Sequence, residues 1–211
     1  MFLPQGTFKF CLESNDKTFY YLSTGTRDIK QNKKEAIALN TTISTFENTN
    51  LLYTFDNFED ATHYTLVAHS IPKALQRIFF VFQPISKSEY NDYILPLETS
   101  PVSYLNEKYD MIKTLFGIEK QILVNDFRAI AAAIERTKQY EYFQDLAKIA
   151  SKHHPDTIMA SFYLARYYEE IGKLKKAMNV YRSAYMLNEI EGYSKDDMLE
   201  RADEIKAEYG D

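Results

Sequence analysis

The sequence predicts an α+β chain that is mostly helical, with a strand, helix and strand near the N-terminus and a run of antiparallel helical hairpins after it. Three observations predict this. Two β-rich stretches, residues 17–23 and 50–58, flank an amphipathic run at 32–46. Apolar residues between positions 124 and 189 recur at one fixed offset, and a polar stretch with Pro84, Pro96 and Pro101 separates the two regions.

The offset is 34 positions. Ile130, Ala131, Ile134, Tyr140, Phe143, Leu146, Ala147 and Ala150 align with Leu164, Ala165, Tyr168, Leu174, Ala177, Val180, Tyr181 and Ala184. Within each copy the apolar spacing alternates between three and four, the helical period, and breaks near Lys138 and at Gly172. Each copy therefore reads as two antiparallel helices joined by a tight turn. Alanines at matched positions let the helix backbones approach, while Tyr168 and Tyr181 fill the wider gaps. Pro155 stops the second helix of the first copy. The pattern resembles the tetratricopeptide repeat, whose period is 34 residues.

Taken in order, residues 7–12 are open to a strand or a helix reading. Residues 17–23, bounded by Ser14, Asn15 and Asp16 on one side and Thr24 and Gly25 on the other, read as a strand. Ala36, Leu39, Ile43 and Phe46 then stand at helical spacing, and residues 50–58 return to strand character. A strand, helix and strand make a βαβ unit with parallel strands. Two parallel strands alone do not make a stable sheet, so this unit reads as part of a larger one. A loop is expected at 59–68 and a helix at 71–82 with Pro72 in its first turn. Residues 84–100 are expected as a linker. Ser100 and Pro101 open a helix striped by Leu105, Tyr109, Ile112 and Phe116 and closed by Gly117. After the repeats, at 124–157 and 158–191, Ser194 caps a terminal helix at 194–209, with Met198, Leu199, Ala202 and Ile205 facing inward. The division is thus 1–83, a linker at 84–100, and 101–211.

Composition bounds the function. At 211 residues and 45% hydrophobic content, the chain can bury a substantial core. With 25 scattered basic residues against 30 acidic ones and a net charge of −5, it lacks the clustered cations that neutralise nucleic-acid phosphates. The single cysteine, Cys11, excludes an internal disulfide and has no identifiable partner base. Met1 to Gly6 carries no basic region or long apolar run, so no signal peptide is read there. The longest apolar stretch, 78–82, is far too short for a membrane span.

The segment from Asp56 to Phe79 resembles the end of an α/β-hydrolase of the esterase D or enterochelin-esterase type, of the bacterial kind that carries a C-terminal helical-repeat extension. In that family the last sheet strand leads to a loop presenting the catalytic histidine, often in Asp-x-x-His followed by Ser or Thr, and then to a long helix. Asp60, His63, Thr65, Leu75 and Phe79 hold those positions here, and residues 20–28 are similar to the penultimate strand and the acidic loop after it. The resemblance implies a serine carboxylic-ester hydrolase with His63 as its general base and Asp28 as the acid that orients it. Asp60, nearer to His63 in sequence, remains an alternative acid. Gly-x-Ser-x-Gly, the turn that exposes the nucleophile, is absent. The family's chain order is serine, acid, histidine, so the serine is expected before Met1 and this chain alone is not expected to hydrolyse esters. The partner implied is a small ester substrate of the intact enzyme.

Other residues carry plainer readings. His153 and His154 with Asp156 read as a solvated helix end, because adjacent histidines point apart and no third metal ligand stands at useful spacing. His69 reads as a helix-start residue, and Lys173, Lys175 and Lys176 as a solvated turn. Tyr142, Tyr163 and Tyr167 either line a concave groove for a peptide or pack between helices, with packing favoured. No cofactor and no metal are called for. Against the enzymatic reading stands a non-catalytic interaction module, its helices binding a peptide or a second copy of the chain.

Overall fold

A computed structural model describes residues 17–209; the open reading at 7–12 and Cys11 lie outside them. The chain forms two compact units, Met1–Phe82 and Gln83–Asp211.

In the first unit, β1 (Thr18–Arg27) and β2 (Leu51–Thr62) pair in parallel around α1 (Lys30–Ile43), as the βαβ reading requires. Phe19 lies opposite Leu52 and Leu22 opposite Phe55. Side chains alternate across the pleat, so the two faces take different helices. On one face Tyr20 stacks on Tyr53 at 5.9 Å, and the Tyr53 hydroxyl donates to Asn40 of α1 at 2.9 Å. Burial and then the nearby Tyr20 push the Tyr53 phenol up to about 12, so it stays a donor at neutral pH. On the other face lies α2 (Leu66–Ile78), where Ser23 and Ser70 hydroxyls meet at 2.7 Å and the Phe58 ring sits 5.4 Å from His69. Helices on both faces are what parallel strands need.

Three boundaries differ from expectation. Both strands run four residues further, because the ladder continues past the apolar run into polar positions. The loop expected at 59–68 shrinks to a turn, its Thr62 and Thr65 side chains bonding each other and the turn's backbone. α2 consequently starts at Leu66, so Pro72 lies inside the helix rather than in its first turn. Its missing N–H falls opposite Ala68, and both residues are exposed, where an unmade backbone bond costs least.

In the second unit the expected linker is structured. Ser86 caps a helical turn at Lys87–Glu89 and a wider turn follows at Tyr90–Ile94, whose Ile94 is buried. The Ile85 N–H donates to Asp126 Oδ1 at 2.8 Å, and the Tyr109 hydroxyl donates to Oδ2 at 2.8 Å. Asp126 is only 1% exposed, and a buried carboxylate must be met by donors. That need, rather than composition, fixes the segment in place.

Helix α3 (Pro101–Phe116) starts as expected, with Val102 N–H donating to Ser100 Oγ, and buries Leu105, Tyr109 and Ile112. The hairpins follow: α4 (Val124–Thr137) with α5 (Tyr142–His153), then α6 (Ile158–Glu170) with α7 (Leu174–Ser183). The helices that open the two hairpins start 34 residues apart, and so do the left-handed residues that turn them, Lys138 (φ 58°) and Gly172 (φ 71°). None of the sixteen matched apolar positions is exposed. Phe127 and Phe143 of the first hairpin stack on Tyr163 of the second at 6.3 and 6.1 Å, so one aromatic column crosses the joint. Tyr163 is fully buried, and its hydroxyl bonds that of Tyr193. It therefore packs and lines no groove. The terminal helix α8 (Lys195–Tyr209) buries Met198, Ala202 and Ile205; its Asp197 N–H donates to Ser194 Oγ, and its Arg201 holds the nearly buried Glu169 of α6 at 2.6 Å. His153 and His154 are tethers: Ile122 N–H donates to His153 Nδ1, and His154 Nε2 bonds the Ile122 carbonyl at 2.7 Å. Among the described residues no helix is long and apolar enough to cross a membrane.

Candidate functional site

The site forms where both strands end at the same edge. β1 runs into Asp28, just ahead of α1, and β2 runs into His63. In a parallel pair the two C-terminal ends coincide, so residues 35 positions apart in sequence become neighbours. His63 Nδ1 lies 3.0 Å from Asp28 Oδ1.

The approach depends on an irregularity in β2. Gly25 pairs with Phe58, but Arg27 pairs with Thr62, so β2 advances four residues while β1 advances two. The extra residues bulge, with Asp60 in the left-handed region (φ 58°), and the bulge presses Ala61 onto Gly25. A Cβ on Gly25 would stand 2.2 Å from the Ala61 carbonyl oxygen. Only glycine permits that contact, and the contact sets where His63 emerges two residues later.

The bulge also sends the two candidate acids to different partners. Asp60 turns outward to Arg27 at 2.9 Å, both side chains well exposed, and its N–H donates to Thr26 Oγ1. Asp28 faces His63. Its side chain is 4% exposed against 45% for His63, so the carboxylate is shielded while the imidazole stays open to a small molecule.

Electrostatics and geometry set the proton's place. Asp28 Oδ1 accepts from Ile29 N–H at 2.7 Å, and Oδ2 accepts from Thr24 Oγ1 at 3.1 Å. These two donors fix the orientation of the carboxylate at the start of α1. A ring nitrogen 3.0 Å from a carboxylate oxygen requires a proton between them, so neutral His63 is the Nδ1–H form. Its Nε2 then carries a lone pair, and among the described residues nothing bonds that atom. Asn32 Nδ2 stands 3.4 Å from Nδ1, too far to compete with Asp28. The arrangement can accept a proton at Nε2 and stabilise the resulting imidazolium from behind.

Thr24 and Gly25 were not singled out from the sequence. A glycine inside a β-rich run signals close backbone approach and could have pointed to the bulge. Nothing in the sequence ties Thr24 to Asp28 in particular.

No protein-family model matches the chain, and no curated protein matches it. Among solved structures, the crystal structure of an uncharacterised protein from Capnocytophaga ochracea DSM 7271 is similar, with a TM-score of 0.80 and 28% sequence identity over 94% of this chain. The match spans 58% of that protein's length.

Proposed function

We propose that this chain is the C-terminal portion of a serine carboxylic-ester hydrolase, supplying the acid and base, Asp28 and His63, to a nucleophile carried by another part of the intact enzyme. The observation that carries the reading is the 3.0 Å contact between His63 Nδ1 and Asp28 Oδ1 at the shared end of two parallel strands. A bare Nε2 on a half-exposed imidazole takes the serine hydroxyl proton as its oxygen bonds the ester carbonyl carbon and the carbonyl electron pair moves to oxygen. When that pair returns, the alcohol leaves and takes the proton from Nε2, with an acyl-serine remaining. Water then repeats the cycle and releases the acid. Asp28 stays ionised throughout and compensates the charge on the ring. Similarity to a structure of which this chain spans 58% agrees with a portion of a longer protein.

The second unit reads as a tetratricopeptide-like extension. Its support is the matched 34-residue offset of helix starts and of turn residues. Burial of Tyr163 removes one wall of a peptide groove, which favours helices that pack over helices that capture a partner.

The test is p-nitrophenyl acetate hydrolysis by the intact enzyme and by this chain. The 211-residue chain is expected to show no turnover above buffer, and His63→Ala in the intact enzyme to lower kcat by about 10²–10⁴-fold. Unchanged turnover would remove His63 from the mechanism.

A further inference from the structure

We infer that Thr24 is a positioning residue for the Asp28–His63 pair, acting through its hydroxyl; the inference rests on the reading of that pair as acid and base. Thr24 has no exposed surface, and its Oγ1 donates to Asp28 Oδ2 at 3.1 Å. Among the described residues it is the sole donor to that oxygen. The other oxygen, Oδ1, is shared between the Ile29 N–H and the His63 ring. Each carboxylate oxygen thus has a separate task, and the plane of the group is fixed by bonds at both ends.

The burial of both residues makes the device consequential. With its side chain 4% exposed, Asp28 cannot exchange the Thr24 hydroxyl for bulk solvent without moving. Removing the hydroxyl leaves Oδ2 without a donor in a shielded place, and rotation toward solvent relieves this. That rotation carries Oδ1 away from Nδ1. The ring then loses the partner that keeps its proton on Nδ1, and free imidazole favours the Nε2–H form, in which Nε2 cannot accept a proton. Thr24 also adjoins Gly25, where β1 touches the β2 bulge, so the strand contact that places His63 and the hydroxyl that orients Asp28 lie one residue apart.

The experiment measures imidazole ¹⁵N shifts of His63 in the 211-residue chain at a pH where the ring is neutral, with the fold checked by circular dichroism. In the native chain the Nδ1–H form is expected to dominate. Thr24→Val should lower the ratio of Nδ1–H to Nε2–H by roughly three- to tenfold, the scale of a typical net intramolecular hydrogen bond. Thr24→Ser, which keeps the hydroxyl, should restore the native ratio, and Thr24→Ala decides if the valine variant does not fold. A native ratio in the folded hydroxyl-less variant overturns the inference while leaving the pair intact. A native ratio in Asp28→Asn overturns the pair itself, and the inference with it.

Discussion

The two units bury their apolar side chains to very different extents. In the helical unit Phe127, Ile130, Ile134, Phe143, Leu146, Ile158 and Tyr163 are essentially inaccessible. In the first unit the described apolar residues buried to that class are Ile43, Ala61 and Val81, while Val67, Ile71, Leu75 and Phe79 stand open on successive turns of α2 and just beyond it. The difference follows from architecture. A helical hairpin covers its neighbour's face, so a stack of them closes its own core, whereas two parallel strands cannot cover the helices that flank them. An open apolar stripe on an otherwise ordered helix marks a surface shaped for further contact. The proposed assignment supplies the contact: the rest of a hydrolase domain.

The contrast can be broken at five positions. Phe143→Ala removes a ring from the aromatic column and should cost about 3–5 kcal/mol in urea unfolding of the helical unit. A cost below about 1 kcal/mol would mean the column is not a core. Gly25→Ala forces a Cβ against the Ala61 carbonyl and should cost about 1–3 kcal/mol, with the bulge displaced and the His63 ring signals changed. Unaltered His63 signals would show that the bulge does not aim the ring. Lys138 occupies the left-handed position that glycine fills in the second hairpin, so Lys138→Gly should raise stability by roughly 0.5–1 kcal/mol, and Gly172→Ala should lower it by a similar amount. A loss on Lys138→Gly or a gain on Gly172→Ala would deny that the two turns are equivalent. Ile71→Ala on the open face should stay within about 0.5 kcal/mol in this chain. A loss well above that would show the face already covered.

Much of the helical unit was legible because its information is local. Period, turn residues and a fixed offset all sit on the line of the sequence, and Ser100, Ser194 and Pro155 act on immediate neighbours. The segment at 84–100 was misread because its prolines and polar residues are also local signals, whereas its anchors are not: Ile85 is held by Asp126, 41 residues away. Pro72 misled in the same way, since a first-turn proline is the commoner case and only the shortness of the preceding turn rules it out. At the site, His63 and Asp28 were candidates through the hydrolase resemblance of residues 56–79 and 20–28, with chain order consistent with it. Sequence proximity argued for Asp60, and a bulge with one left-handed residue sends that side chain away. Thr24 was invisible because a hydrogen bond between side chains four apart on an irregular strand end has no periodic signature.

The central claim is that Asp28 acts on catalysis through His63 and in no other way. A double-mutant cycle on kcat/KM for ester hydrolysis by the intact enzyme tests it directly, using Asp28→Asn and His63→Ala singly and together. The account predicts that Asp28→Asn lowers kcat/KM sharply on its own and adds nothing once His63 is gone. Losses that multiply independently would contradict it.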